Sequence, residues 1–297
     1  MLAAPIVLPV HLRHLTINQP RPGAPTGQQI KFVNPNSDNY ERNIAHAASL
    51  NLPCYKHNQL VQDGKGPTVV VAGSGPTLKD ASVLRGIREA VDNGAIIFAC
   101  KAAIKFLHDH GFKIDYAVTM DPGAHIANPN KIFKAPGTTH IVASSSDPAL
   151  FEYLKDEKVI IFHSATGYKN EVQMYRDLFD TDTCMGGGYN VVNRAVSAAF
   201  FMGASRVILA GTDCGWRKDE DMYADGPAHR EGVDMTDHGV IDGREWMTRP
   251  DMLASGVALA KLAKKRPKDI VFLGDTLPSK LIHKDDDFLN KCASFGN

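Results

Sequence analysis

The chain has 297 residues, 43% of them hydrophobic and 8% aromatic, a composition that supports a substantial core and excludes a disordered chain. Thirty-three basic residues balance thirty-three acidic ones, so neither duplex nucleic acid nor an anionic membrane surface is the expected partner. The five cysteines are widely spaced and form no Cys-x-x-Cys pair, which argues against a disulfide framework or a structural zinc site and suits a reducing cytoplasm.

In chain order, Met1 to Val10 is apolar but carries two prolines and no basic flank, a poor secretory signal. No apolar run reaches the roughly 20 residues that span a bilayer, so a soluble protein is expected. Pro20 to Asp38 is rich in Pro, Gly, Asn and Gln and reads as an irregular arm leading to a short helix near Asn39 to Leu50. Residues 1–66 are therefore expected as an arm plus helix, and residues 67–297 as one domain. From Thr68 the pattern becomes short β-branched runs: Thr68 to Ala72, Ala95 to Ala99, Tyr116 to Met120, His140 to Ala143, Val159 to Phe162, Arg206 to Ala210 and Asp269 to Leu273. Amphipathic stretches lie between most of them, at Lys79 to Asp92, Lys101 to His110, Tyr189 to Met202 and Arg249 to Lys264. Gly94, Gly111 and Gly203 close helical runs where a left-handed residue is wanted. Strands joined by helical crossovers predict an α/β, Rossmann-like fold with a mainly parallel sheet and helices on both faces. The stretch Gly211 to Thr248 breaks the alternation and reads as a long functional loop.

Ligands of such sheets bind beyond the carboxyl ends of the strands, so the residues just after each strand carry the functional expectations. The first strand empties into Gly73-Ser-Gly-Pro-Thr77 ahead of a helical pattern. Its glycines admit a ligand close to the backbone, and a helix start offers unpaired N–H groups to a phosphate. Ser74 and Thr77 add hydroxyls, and Pro76 suits a first helical turn. Lys101 follows the second strand, Asp121 the third, Ser144 to Asp147 the fourth, His163 the fifth and Asp213 the sixth, which together describe one polar rim. Asp121 and Asp213 suit a divalent cation, ribose hydroxyls or a plain turn cap. Gly187 and Gly188 precede a helix as a second ligand contact, with Tyr189 offering a flat ring and Asn190 a cap. His163, His229 and His238 are the histidines placed to move a proton at neutral pH, the last two on the long polar segment. Asp219 to Asp221, Asp285 to Asp287 and the Lys261 to Lys268 cluster read as solvated or helix-end charge. There is no Gly-x-Ser-x-Gly elbow, no P-loop spacing and no His-Glu-x-x-His, which disfavours a serine hydrolase, a Walker-type ATPase and a zinc enzyme.

Three blocks in this order, Val70 to Leu78 (VVAGSGPTL), Ile114 to Pro122 (IDYAVTMDP), and Gly187 to Asn190 running on to Arg206 to Cys214 (RVILAGTDC), resemble the 6-hydroxymethylpterin diphosphokinase-like family. That family also contains motility-associated glycosyltransferases and has local similarity to bacterial sialyltransferases, and many phage-encoded proteins look similar. The resemblance implies a cytoplasmic transferase, in the host cytoplasm if phage-encoded, whose partners are a small-molecule nucleotide or nucleotide-sugar and a polar acceptor. A homo-oligomer is compatible with it. The donor would sit on Gly73, Ser74, Gly75, Pro76 and Thr77, with Lys101, Asp121, Gly187, Gly188 and Tyr189 around it. Sialyltransferase-like members have Gly-Asn-Gly-Pro-Ser at the first turn, where Ser74 here replaces the asparagine, and use a histidine after the Gly-x-Asp block as base. His238 is the nearest match, His229 the second, with Asp213 beside them as a catalytic candidate. In the diphosphokinase branch Asp121 and Asp213 would hold magnesium on the ATP phosphates. A non-catalytic nucleotide-binding module of a phage assembly is the alternative of another class.

Overall fold

A computed structural model of the chain describes residues 39–55, 65–129, 131–165, 170–181, 183–188, 190–217, 220–224, 237–241 and 244–294, with 237–240, 291, 293 and 294 described by their backbone. The expected arm falls on 1–38 and lies outside these residues. Helix α1 is Asn39–Ser49, followed by strand β1 at Thr68–Ala72, a 3₁₀ turn at Pro76–Lys79, α2 at Ala81–Asp92, β2 at Ile96–Cys100 and α3 at Ala102–Asp109. Then come β3 at Tyr116–Thr119, β4 at Thr139–Ala143, α4 at Pro148–Tyr153, β5 at Lys158–Phe162, α5 at Glu171–Phe179, α6 at Val191–Phe201 and β6 at Arg206–Ala210. The remainder is β7 at Trp216–Arg217, β8 at Asp237–Ile241, β9 at Arg244–Thr248, α7 at Pro250–Lys265, β10 at Ile270–Phe272, α8 at Leu277–Leu281 and α9 at Asp286–Ser294. No helix among the described residues is long and apolar enough to cross a membrane.

Seven strands form one parallel sheet in the order β10-β6-β1-β2-β3-β4-β5. The chain has the α/β, Rossmann-like architecture expected from its strand and helix alternation. The two-residue period of a strand explains how both faces are covered. Val69 and Val71 of β1 pack with Ala195, Ala198 and Ala199 of α6 and Leu259 and Leu262 of α7. Val70 and Ala72 point the other way, to Val83 and Ile87 of α2 and Ile104 and Leu107 of α3. Each of these valine, leucine or isoleucine side chains taken fully out of water contributes about 2 kcal/mol.

Two parts depart from the sequence expectation. Residues 39–55, grouped with the arm, pack into the α/β layers. Pro53 and Tyr55 exchange backbone hydrogen bonds with Ile161 at 2.9 and 2.7 Å, extending the sheet beyond β5. Buried Asn43 of α1 donates to the carbonyl oxygens of Ser145 (2.9 Å) and Pro122 (3.2 Å), so the helix is fastened to the rim by polar bonds that water cannot replace. The stretch Gly211 to Thr248 is the other departure. It contains a second, antiparallel sheet, β7-β9-β8, in which Trp216 pairs with Met247 and Met247 with His238. The loop expectation failed there because β7 has two residues and β8 begins Asp-His-Gly, a poor strand sequence by propensity.

His140, the second residue of β4, is fully buried and neither ring nitrogen has a hydrogen-bond partner. Burial, with the Lys134 charge nearby as a smaller cause, holds its pKa down to about 4, so the folded protein keeps it neutral. The unfolded chain takes up that proton near pH 6.5, so the contribution of neutral His140 is present above pH 6.5 and lost as pH falls towards 4. Thermal melts at pH 7, 5.5 and 4 should show a decline that His140→Leu flattens by on the order of 3 kcal/mol; an unchanged slope in the variant would remove His140 as the cause.

Candidate functional site

The β5-to-β6 crossover, carried by α6 across β1, β2 and β3, places β6 on the far side of β1 and makes β1/β6 the point where strand order reverses. A crevice beyond the carboxyl ends of two such strands is the expected ligand position. The turn Gly73–Thr77 and the turn Gly211–Asp213 meet there. The N–H groups of Gly73 and Gly75 donate to the carbonyl oxygens of Ala210 and Gly211 at 2.9 and 2.8 Å. A Cβ on Gly75 would lie 2.1 Å from Asp213 Oδ2, and one on Gly211, whose φ is +59°, would lie 2.4 Å from the Gly73 carbonyl oxygen. The glycines are thus required by the contact between the two turns. This alters the expected phosphate cradle, because two of its amides are already engaged. The helix start differs as well: Pro76–Lys79 is a 3₁₀ turn with Pro76 in its first positions, and α2 begins only at Ala81. The Ser74 carbonyl accepts from the Ala224 N–H at 2.9 Å, so residues 220–224 lie against the outer side of the turn.

Asp213 is the centre of this contact. Its side chain is 2% exposed, and its Oδ2 accepts from Thr77 Oγ1 at 2.9 Å and, at the longer distance of 3.4 Å, from the Thr77 N–H. Burial pushes its pKa up to about 7 against the opposing effect of the Thr77 hydrogen bonds. A carboxyl that titrates near neutrality is suited to give and take a proton. The next residue, Cys214, has φ +52° and accepts from Thr248 Oγ1 at its carbonyl (2.7 Å), which ties the site to β9.

Asp121 and Lys101 form a separate pair. Lys101 Nζ lies 3.2 Å from Asp121 Oδ2, and the Gly123 N–H donates to Oδ1 at 3.0 Å. Lys101 adopts φ +49°, ψ −120° at the strand-to-helix junction, a strained conformation for a residue with a Cβ and one that clusters at functional sites. His125 Nε2 is 3.7 Å from the same carboxylate. Asp121 follows β3 and Asp213 follows β6, strands that stand three apart in the order, or about 14 Å across the sheet. Each carboxylate is also turned to its own partners. A shared magnesium on these two residues therefore does not fit, and among the described residues no group of three or more His, Cys, Asp or Glu is placed to hold a metal ion.

Gly187 and Gly188 wrap the first turn of α6, where Asn190 caps the helix by accepting from the Asn193 N–H at 3.0 Å. Tyr189 and His229 lie outside the described residues. His238 is in β8 rather than on a loop, one strand beyond Met247, which pairs with Trp216 three residues after Asp213. His163 is structural: its ring is buried against Tyr175 and Phe179, Nδ1 lies 3.1 Å from Ser144 Oγ, and burial lowers its pKa to about 4. Asp147 caps α4 and pairs with Arg42 at 2.7 Å. Sequence reasoning missed Arg194, 2% exposed, whose Nε donates to Ser164 Oγ (3.0 Å) and Nη2 to the Ala165 carbonyl (2.8 Å). An arginine inside the apolar helix VVNRAVSAAFF was the available signal, since buried guanidinium groups must be bonded.

The Asp213 carboxyl and the Gly75 Cα fill each other's space, so Gly75→Ala should cost at least about 2 kcal/mol, and adding Asp213→Gly should recover part of it. A double-mutant cycle by urea denaturation measures this coupling; additivity would mean that the two do not pack as described. Because the folded pKa of Asp213 is raised to about 7, its contribution is fully present below pH 3.8 and lost as pH rises through 7. Asp213→Asn should therefore melt higher than the unsubstituted protein at pH 8, with the difference shrinking towards pH 5.

A family model described as 6-hydroxymethylpterin diphosphokinase MptE-like matches residues 39–219. No curated protein matches the chain. Among solved structures, the MAf glycosyltransferase from Magnetospirillum magneticum AMB-1 superposes with a TM-score of 0.58 at 17% identity, a likeness of fold. The match covers 88% of this chain and 42% of that one, so the chain spans less than half the length of this neighbour. An uncharacterized B. cereus protein aligns over 87% of this chain and 61% of its own at 12% identity, with a TM-score of 0.24 that carries no structural argument. With the match running over more than half its length, from α1 past β7, the chain belongs to the MptE-like family.

Proposed function

We propose that this protein is a nucleotide- or nucleotide-sugar-dependent transferase that moves a glycosyl group to a small polar acceptor at the β1/β6 crevice. The observation that carries this reading is Asp213, a buried carboxyl bonded to Thr77 of the glycine turn and set against Gly75, with burial raising its pKa. In this reading the donor nucleotide lies along Ser74 to Thr77, and Lys101, just after β2 and one strand spacing away, supplies a cation at the same rim beside its partner Asp121. Asp213 takes the proton of the acceptor hydroxyl as its oxygen forms a bond to the sugar carbon, while the bond from that carbon to the nucleotide phosphate breaks and the phosphate leaves with the electron pair. His238 is the alternative base, placed by its backbone on the sheet that follows Asp213. The motility-associated glycosyltransferase with the same fold supports glycosyl transfer by analogy.

The family description favours diphosphoryl transfer as a second reading. It ranks behind because phosphoryl transfer needs charge neutralisation, usually by metal ions, and the separation of Asp121 from Asp213 offers no joint site.

A thermal-shift panel of ATP, GTP, CMP, UDP-sugars and CMP-sugars, with and without magnesium, tests these readings. Metal-independent stabilisation by a nucleotide-sugar is expected, and stabilisation by ATP only with magnesium would favour the diphosphokinase. With the donor so identified, Asp213→Asn should lower turnover by about 10²–10⁴-fold while keeping the donor's thermal shift. Full turnover in Asp213→Asn together with its loss in His238→Asn would move the base to the histidine. Donor binding without turnover by the unsubstituted protein against any acceptor would leave a nucleotide-binding module.

A further inference from the structure

Beside the transfer crevice, three cations converge on one carboxylate. Arg217 of β7 donates to Asp275 Oδ2 at 3.0 Å, Arg244 of β9 bonds the same oxygen, and Lys280 of α8 bonds Oδ1. Glu220 adds one weaker counter-charge, 3.5 Å from Arg217. The three cations hold Asp275 below the usual carboxylate range, although partial burial opposes them.

This arrangement is electrostatically unbalanced, because one carboxylate has at most about four lone-pair sites and a single arginine can satisfy two of them. Among the described residues, three cations from three separate elements keep several N–H groups over and repel one another. The cluster is also open to solvent, with side-chain exposures of 35% for Arg217, 54% for Arg244, 29% for Lys280 and 30% for Asp275. Its place in the fold is specific. Gly274, next to Asp275, approaches Thr77 so closely that a Cβ there would lie 3.1 Å from the Thr77 Cβ. Two residues on from Asp275, the Leu277 N–H donates to the Asp213 carbonyl at 3.3 Å.

We propose that Arg217, Arg244 and Lys280 form an anion subsite that takes a phosphate or carboxylate group of one of the two substrates, with Asp275 holding the three cations together when no anion is bound. The role in transfer rests on the function proposed above; the anion binding itself does not. It makes the small antiparallel sheet part of the substrate site, since β7 and β9 supply two of the three cations. It also implies that at least one substrate carries an anionic group read by guanidinium donors, beyond the group held at the glycine turn.

The test uses inorganic pyrophosphate as probe, followed by isothermal titration and thermal shift on the full chain. Arg244→Gln, at the most exposed of the three cations, should weaken binding by at least about fivefold, and Asp275→Asn should tighten it by about tenfold, because it removes the competing carboxylate. A network that merely fastens β9 to α8 predicts the reverse pattern for Asp275→Asn: lower stability and no gain in pyrophosphate affinity. That result in a variant with native circular dichroism overturns the proposal, as does binding that Arg244→Gln leaves unchanged. Pyrophosphate that competes with the donor nucleotide assigns the anion to the donor, and pyrophosphate that binds alongside it assigns the anion to the acceptor; either supports the subsite. Loss of turnover in Asp213→Asn is read separately, so the transfer mechanism and the subsite can fail independently.

Discussion

The contact between the turn after β1 and the turn after β6 is the constraint on which the rest of the site depends. Gly73 and Gly211 approach backbone to backbone, and Gly75 leaves room for the Asp213 carboxyl. A Cβ on Gly73, Gly75 or Gly211 would come within 2.5, 2.1 or 2.4 Å of the opposing turn, and protein interiors do not absorb such an overlap without loss elsewhere. With the turns closed, Thr77 reaches Asp213, Leu277 reaches the Asp213 carbonyl, and Ala224 reaches Ser74. The second sheet and the C-terminal helices are thereby referred to the same few atoms. A glycine motif that reads as a ligand cradle is thus, first, a packing device between neighbouring parallel strands.

Electrostatics distinguishes the two ends of the rim. At the β1/β6 end, burial leaves Asp213 with a raised pKa and only hydroxyl and amide donors for partners. At the β3–β5 end, polar side chains are buried in a bonded network of Ser144, His163, Ser164 and Arg194, and His163 stays neutral well below pH 7. The first environment suits proton transfer, because both protonation states lie within reach near neutrality. The second suits rigidity, because every proton movement there would strand a buried charge. Lys101 stands between them, strained at its backbone and paired with Asp121.

Much of the main sheet was legible in the sequence because both faces of its central strands are buried. A strand such as Thr68–Ala72 must then be a nearly continuous β-branched run, and such runs stand out against amphipathic helices. The second sheet was less legible. Its β8 begins with residues that seldom form strands, and that composition obscures the hairpin signal of the pair Asp242-Gly243 between HGVI and REWMT. Helix α1 is legible as a helix but not as a member of the α/β layers, since the bonds of Asn43 to Pro122 and Ser145 link residues 79 and 102 positions apart and leave no local trace.

The sequence by itself determined that this chain would build a parallel α/β sheet with a polar rim at the carboxyl ends of its strands. Those properties follow from the local alternation of apolar and turn-forming residues, which each segment carries without reference to the others. It also brought Gly73 to Thr77 and Asp213 forward as separate members of that rim. Only the tertiary structure decided which members meet. Strand order is set by pairing between distant segments, and the crossover that lays β6 against β1 puts Asp213 on Gly75 and Thr77 while leaving Asp121 three strands away with Lys101. The same distant pairing draws Arg217, Arg244 and Lys280 onto Asp275, a convergence of residues from three elements that no spacing along the chain announces.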